Sequence, residues 1–218
     1  MRHLRFLRWA PLAGVVYVVL FVVGIVLVDG GRPSGDASPS KVISYYQDGG
    51  HRNRVHLGTF LILVGVFFLI WFVGALRELV RSYAGDGLLA GVVGIGGAAY
   101  AALTLAGVAV EEGVYTMSDD TFHHEVYPGV IHMANDVGYM LHSAGGVGVG
   151  AMIVAVSLAA LRAGAWPAWL GWLSLLAGIV SVFAFAFFPW FVIALWLLAA
   201  SIGATRAFGR LSAAAAPG

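Results

Sequence analysis

The chain has 218 residues, of which 60% are hydrophobic and 11% charged, with a net charge of +1 and a mean hydropathy of +0.89. Soluble domains carry about 25% charged residues, and here the apolar residues fall in long runs, which excludes an ordinary soluble domain and predicts membrane spans. The small net charge argues against nucleic acid as a partner, and the absence of cysteine excludes disulfides, thiolate metal sites and iron–sulfur clusters.

The apolar runs predict six membrane spans, because a helix needs about 20 apolar residues to cross the hydrocarbon core. The first run follows the basic start MRHLRFLR, and its length, with no small-residue cleavage site after it, predicts an uncleaved span. The last uncharged stretch is too long for one helix, so we expect a break at Pro189, which cannot continue a helix. The predicted spans are residues 11–28, 56–76, 88–110, 129–161, 168–186 and 190–205.

We therefore predict an all-α fold, a polytopic transmembrane helix bundle that forms one domain over residues 1–218, with both termini in the cytoplasm. The orientation follows from the positive-inside rule. With both termini inside, eight arginines lie in the inner segments, and three arginines and one lysine lie in the outer segments. Eleven arginines against one lysine, with abundant Ala and Gly, indicate a GC-rich bacterial genome. The predicted location is therefore the bacterial cytoplasmic (inner) membrane.

Two longer outer loops are predicted, residues 29–54 and residues 113–127. The first loop contains SPSKVISYYQ, in which Ser38 is a candidate N-cap and Pro39 suits the first helical position. We expect a short amphipathic helix there, lying on the bundle or at the membrane interface. Its apolar side is predicted to carry Val42, Ile43, Tyr45 and Tyr46.

The fourth span opens with an unusual polar segment, IHMANDVGYMLHSAGGVGVG. At 100° per residue, His132, Asp136 and Tyr139 share one stripe, which Gly146 and Gly150 continue. Ionisable groups in a span face protein or a water-filled cavity, and small residues let a neighbouring helix approach closely. The stripe is therefore expected to face the bundle interior.

Other helices supply polar side chains at the same level. By helix length, Glu111 of the third span, His56 of the second and His142 of the fourth all lie near the outer boundary. We therefore predict a ligand- or metal-binding site at the outer mouth of the bundle. Its candidate residues are His56, Glu111, Asp136, Tyr139 and His142, with Glu112, His123, His124, Glu125 and His132 as secondary candidates.

Five interpretations of this polar cluster stay open. In the first interpretation, the cluster binds a divalent transition metal, since imidazoles and carboxylates are ligands for zinc, iron and manganese. It holds haem b between His142 and a second histidine, it performs acid–base catalysis on a lipid or a small hydrophobic substrate, or it serves transport. In the fifth interpretation its side chains only tie helices together, and the chain is a non-enzymatic scaffold or accessory subunit whose partners are membrane lipids and other membrane subunits.

Four segments carry a family resemblance that covers most of the chain. They are GDASPSKVISYYQ after the first span, LGTFLILVGVFFLIWFVGALRELVR, HMANDVGY at the start of the fourth span, and ALRAGAWPAWLGWLSLLAGI leading into the fifth. Together they resemble an uncharacterised family of six-span bacterial integral membrane proteins. The resemblance implies a helix bundle in the bacterial cytoplasmic membrane and no particular reaction, ligand or catalytic residue.

Overall fold

The computed structural model describes residues 9–85, 87–119, 123 and 125–214. Over these residues the chain forms seven α-helices and two short 3-10 turns, with no strand among them. The 3-10 turns are Ala10–Leu12, which leads into the first helix, and Ala184–Ala186, which lies between the last two. The helices are α1 (Ala13–Asp29), α2 (Pro39–Gln47), α3 (Gly49–Ala84), α4 (Gly87–Met117), α5 (Pro128–Arg162), α6 (Ala168–Ser181) and α7 (Pro189–Ala214).

Five of these helices are long and apolar enough to cross a membrane, namely α1 with its 3-10 turn, α3, α4, α5 and α7. The predicted all-helical fold is therefore confirmed over the described residues, and five of its helices match membrane spans in length and composition. The fifth predicted span, residues 168–186, is represented by α6, which has only 14 residues. At 1.5 Å per residue α6 is about 21 Å long, and the 3-10 turn extends it toward Pro189.

The helices α3, α4 and α5 extend beyond the predicted spans, because hydropathy marks only the part of a helix that matches hydrocarbon. The helix α3 begins at Gly49, where Asp48 caps it by accepting a hydrogen bond from the backbone N–H of His51 at 2.8 Å. This bond lowers the pKa of the Asp48 carboxyl. At the other end α3 stops at Gly85, whose φ of 56° is the left-handed conformation that favours glycine. The loops in the structure are therefore shorter than the predicted loops, residues 29–54 and 113–127.

The short helix predicted in the first loop is confirmed as α2. It has Ser38 at its N-cap position and Pro39 as its first residue, although the Ser38 side chain makes no capping hydrogen bond. Val42, Tyr45 and Tyr46 are buried, and α2 packs on α3 and α5. The apolar side of α2 therefore lies on the bundle.

The largest helix interface joins α4 to α5, and glycines bring the two backbones together. A Cβ atom added at Gly96 would lie 2.5 Å from the carbonyl oxygen of Gly148, and one added at Gly148 would lie 2.6 Å from that of Gly96. A second close approach joins Gly107 to Gly138, where an added Cβ at Gly107 would lie 2.8 Å from the Gly138 oxygen. Contacts this close leave no room for a side chain and fix the register of α4 against α5.

The opposite face of α5 receives α6 through the glycines predicted for helix packing. A Cβ atom added at Gly150 would lie 2.6 Å from the carbonyl oxygen of Gly178, and Gly146 meets the backbone of Ser181. The prediction that Gly146 and Gly150 admit a neighbouring helix is confirmed. Deeper in the bundle, the hydroxyls of Tyr17 and Tyr100 lie 2.7 Å apart and join α1 to α4.

The two ends of the bundle differ in chemistry. One end, here called the α2 end, carries α2 together with the C-terminus of α4 and the N-termini of α3 and α5. The other end is called the arginine end. Among the described residues, its charged side chains are Arg77, Glu78, Arg81, Arg162, Arg206 and Arg210.

Replacement of Gly148 by alanine tests the backbone contact between α4 and α5. The added Cβ would meet the Gly96 oxygen at 2.6 Å and the Tyr100 nitrogen at 3.0 Å, so we expect the free energy of unfolding to fall by about 1–3 kcal/mol, as is usual for overpacking. Gly91→Ala is the matched control, because nothing lies within 4 Å of an added Cβ there. Denaturant titration in detergent should show Gly91→Ala unchanged or slightly stabilised. Equal losses in the two variants would contradict the contact.

Candidate functional site

The adjacent residues Glu111 and Glu112, near the end of α4, bind different parts of the chain. Glu111 accepts a hydrogen bond from Arg32 through Oε2 at 3.2 Å, and the same guanidinium lies 3.3 Å from Asp29 Oδ1. The side chains of Glu111 and Arg32 are only 15% and 19% exposed. This ion pair ties the segment after α1 to the end of α4.

The charge state of Arg32 follows from two opposing effects. Burial alone would lower the pKa of its guanidinium, but the neighbouring carboxylates of Asp29 and Glu111 raise it above its ordinary value. Arg32 therefore stays protonated, and its contact with Glu111 is ionic.

Glu112 points toward α3 and has donors on both carboxylate oxygens. His56 Nδ1 contacts Glu112 Oε1, and the hydroxyl of Thr59 donates to Oε2 at 2.7 Å. The two α3 residues lie one helical turn apart, so one carboxylate bridges a full turn of α3 to α4. His56 was predicted to lie with Glu111, whereas the structure pairs it with Glu112, a secondary candidate. Thr59 was not predicted.

Like Arg32 Nε and the Tyr115 hydroxyl, one ring nitrogen of His142 has no hydrogen-bond partner among the described residues. The side chain is 7% exposed, and Nδ1 lies 2.9 Å from the carbonyl oxygen of Gly138. A carbonyl oxygen only accepts, so Nδ1 carries the proton and Nε2 presents a lone pair. Nε2 is buried and forms no hydrogen bond with the part of the chain that the structure describes.

Glycines on both helices make room for this imidazole and for Glu111. An added Cβ at Gly107 would lie 2.7 Å from His142 Nδ1, and one at Gly138 would lie 2.6 Å from Glu111 Oε1. The same backbone approach that joins α4 to α5 therefore places His142 and Glu111 on either side of one interface. A larger residue at either glycine would displace one of the two side chains.

A small cavity lies between these groups. Its polar lining consists of Thr59, Glu111, Glu112, Tyr115 and His142, and its apolar lining of Ile25, Val28, Val55, Ile62 and Val108. The space open to the centre of a water molecule is about 10 Å³, which is about the room that one water needs. We call this space the mouth cavity.

Aromatic residues of α2 cover the site from the end of the bundle. The rings of Tyr46 and Tyr115 lie 4.8 Å apart between centroids, and the Tyr46 hydroxyl lies 3.3 Å from the amide nitrogen of Asn135 on α5. Arg54 donates to the Tyr45 hydroxyl at 3.2 Å and also to the carbonyl oxygen of Gly30. These contacts fix α2 and the loop before it over the mouth cavity.

Two of the predicted site residues lie elsewhere. Asp136 is exposed and Tyr139 is half-buried, with its hydroxyl donating to the carbonyl oxygen of Phe185 at 2.7 Å. The prediction that Asp136 faces the interior is wrong, and so is the prediction that Asp136 and Tyr139 gather with His142. The contact with Phe185 places Tyr139 against the turn between α6 and α7.

The face of α5 that meets α4 lies about 110° around the helix from His132, at 100° per residue. Its buried members include Ile131, Gly138, His142 and Gly145. The orientation of α5 is therefore set by small and apolar residues that pack on α4. In this orientation Asp136 is exposed and His132 half-buried.

Among the secondary candidates that the structure describes, Glu112 alone lines the mouth cavity. His132 is half-buried, and His123 and Glu125 are exposed. His124 lies outside the residues that the structure describes.

The described part of the chain holds no group of three or more His, Asp or Glu side chains placed to bind one metal ion. The residues proposed for haem do not fit it either. His56 is engaged by Glu112, and the mouth cavity beside His142 has room for about one water, far less than a porphyrin needs.

Comparisons with family models, with curated proteins and with solved structures gave no match. The resemblance to six-span bacterial membrane proteins stays a prediction. Function is therefore inferred from the contacts of the site itself.

Glu112→Gln and Asp136→Asn together test which carboxylates are structural. Loss of the Glu112 charge weakens its contacts with His56 and Thr59, so we expect the free energy of unfolding to fall by about 1 kcal/mol, the usual scale for polar contacts between membrane helices. Asp136 is exposed, and Asp136→Asn should change it by less than about 0.5 kcal/mol. Denaturant titration in detergent measures the free energy of unfolding of both variants. A larger decrease for Asp136→Asn than for Glu112→Gln would contradict the structural role of Glu112.

Proposed function

We propose that the chain is a six-span protein of the bacterial cytoplasmic membrane with both termini in the cytoplasm. The helix α6 and the 3-10 turn after it have lengths of about 21 and 6 Å, close to the 30 Å of the hydrocarbon core. Among the described residues the arginine end carries five basic residues and the α2 end four, and three more arginines precede α1 in the sequence. The positive-inside rule then favours the α2 end as the outer face.

We further propose that the mouth cavity is an outward-facing binding site for a small cation. The observation that carries this proposal is the buried lone pair of His142 Nε2, which has no partner among the described residues. An unpartnered buried polar atom costs about 1–3 kcal/mol. A ligand that donates to this nitrogen removes that cost.

The other polar groups of the mouth cavity define the charge of the ligand. Glu111 and Glu112 bring two carboxylates, of which Glu111 is paired with Arg32, and Glu112 contacts His56 and accepts from the Thr59 hydroxyl. Nε2 adds an acceptor. A site with two carboxylates and a basic nitrogen favours a cation that donates hydrogen bonds.

The size of the mouth cavity selects among cations. A transition metal with three protein ligands requires Glu112 to leave His56 and Thr59, since no three ligands converge in the described residues. An ammonium ion is about as large as a water molecule and binds through hydrogen bonds alone. The geometry therefore favours ammonium, or the ammonium head of a small amine, over a transition metal or haem.

A reporter fused after Gly218 tests the orientation. We expect a reporter that is active only in the cytoplasm to be active there, and one that is active only outside to be silent. The same pair of reporters fused after Gly35, in the loop before α2, should give the reverse pattern. Outside activity of the fusion at Gly218 would contradict the proposed topology.

Thermal unfolding of the detergent-purified protein tests the ligand. Ammonium chloride at about ten times Kd should stabilise the protein by about 1.4 kcal/mol, or about 3–6 °C in Tm, relative to sodium chloride at equal ionic strength. His142→Phe keeps an aromatic ring but removes Nε2, so the shift should disappear. His51→Phe is the control, because His51 stacks on Tyr45 at 4.4 Å and does not line the mouth cavity.

Two further measurements separate the alternatives. Elemental analysis that finds stoichiometric metal, or an absorption spectrum with a strong Soret band, would replace the ammonium proposal with a metal or haem site. No shift with ammonium and no bound metal or chromophore would leave the polar cluster as a structural tie within a scaffold or accessory subunit.

A further inference from the structure

A long apolar groove runs between α6 and α7 on the lipid-facing side of the bundle. Its volume is about 480 Å³, and it is open on one side. Trp166 lies at the arginine end of this groove and Phe188 at its other end. We call it the hairpin groove, and it is separate from the mouth cavity.

The hairpin groove exists because α6 and α7 pack on different neighbours. The helix α6 is held to α5 by the backbone contact between Gly150 and Gly178. The helix α7 packs on α1, where Trp190 stacks on Phe21 with 6.4 Å between ring centroids. The two helices of the hairpin therefore diverge on the side that faces lipid.

The polar groups on the floor of the hairpin groove are already satisfied. Ser174 Oγ lies 2.6 Å from the indole nitrogen of Trp196, which donates to it, and 2.6 Å from Ser157 Oγ. Ser174 is the one hydroxyl among the lining residues, all of which the structure describes. The groove therefore offers an apolar surface with no free hydroxyl, and its occupant has to be apolar.

We propose that the hairpin groove binds one acyl chain of an anionic phospholipid. The lining positions run from Leu170 to Val180 on α6 and from Val192 to Gly203 on α7, which is about 15–17 Å at 1.5 Å per residue. Half of the 30 Å hydrocarbon core is about 15 Å, the depth that one leaflet's chains occupy. The groove is thus as long as one chain.

Charge complementarity identifies the lipid headgroup. Trp166, at one end of the hairpin groove, follows Arg162 by four residues, and indole rings favour the membrane interface. Among the described charged side chains of the arginine end, five are arginines and one is a glutamate. A lipid whose chain enters at Trp166 places its headgroup against this basic face, which attracts an anionic phosphate lipid.

The shape of the hairpin groove favours an acyl chain over another helix. A helix with its side chains is about 10–12 Å across and docks in membranes on flat surfaces of small residues. Here the rims carry Leu173, Leu176 and Leu195, which are 55%, 55% and 68% exposed. Protruding leucines over a floor of Ala177 and Ala200 form a narrow slot, which a flexible chain fills.

Native mass spectrometry of the full chain with added lipid tests this proposal. The probes are dioleoyl phosphatidylglycerol and dioleoyl phosphatidylcholine, which share the same acyl chains. We expect one phosphatidylglycerol to stay bound to the wild type, at least about fivefold more tightly than phosphatidylcholine, the scale of one basic residue near a lipid surface. Equal binding of the two lipids would overturn the headgroup assignment.

Gly203→Leu tests the position of the chain. Nothing lies within 4 Å of an added Cβ at Gly203, so leucine fills the hairpin groove without a clash and should weaken lipid binding at least tenfold. Gly74→Leu is the matched control, because an added Cβ there also meets nothing within 4 Å and Gly74 lies outside the groove. Ala199→Phe, at an exposed lining position, is a second variant that fills the same space.

The outcomes are distinct. Loss of the bound lipid in Gly203→Leu and Ala199→Phe, with binding kept in Gly74→Leu, supports the proposal. Unchanged lipid binding in both groove variants overturns it. A dimer that both groove variants dissociate would show that a second copy of the chain, and not a lipid, occupies the hairpin groove.

Discussion

The backbone contact between α4 and α5 is the constraint on which the rest of the structure depends. Near the middle of the two helices, the carbonyl oxygens of Gly96 and Gly148 each pack against the Cα of the other glycine. Gly107 and Gly138 make a similar contact nearer the α2 end. Without side chains between them the two helices have one register. That register sets the level of His142 against α4 and leaves space for its ring. The chemistry of the mouth cavity is therefore a consequence of helix packing.

The polar groups at the α2 end divide into two kinds. Glu111 and Glu112 hold Arg32 and His56, and these contacts join α4 to the loop before α2 and to α3. His142 Nδ1 donates to the backbone of its own helix, and Nε2 is buried without a partner among the described residues in a side chain that lines the mouth cavity. Of the residues that line the mouth cavity, His142 and Tyr115 have buried side-chain atoms without a partner among the described residues, and our proposed binding role rests on His142 Nε2, which can only accept a hydrogen bond.

The sequence predicted the elements that follow from local chemistry. Hydropathy located the spanning helices, Pro39 marked the start of α2, and Pro189 marked the start of α7. The glycines of α5 were recognised as packing positions, because a glycine in an apolar helix has few other uses. The bounds of α5 were predicted to within one residue at each end, whereas α3 and α4 were predicted too short, since their outer turns are more polar than their spans while remaining helical.

The orientation of polar residues was predictable only where packing partners were known. Asp136 was assigned to the interior because charged groups avoid lipid, but the packing of α5 on α4 leaves it exposed. Arg32 was missed as a partner of Glu111, since the two residues are 79 positions apart and share no helical periodicity. Burial of His142 followed from Gly107 and Gly138, whose contacts depend on a register that one sequence does not specify.

Nitrogen NMR of the histidine-labelled protein in lipid bilayers tests the central claim most directly, because it observes both ring nitrogens of His142. His142→Phe assigns the signals by difference. We expect a proton on Nδ1 and an unprotonated Nε2. The Nε2 resonance should move when ammonium is added and stay fixed when sodium is added at the same concentration. A proton on Nε2 with a bare Nδ1, or an Nε2 resonance indifferent to ammonium, would contradict it.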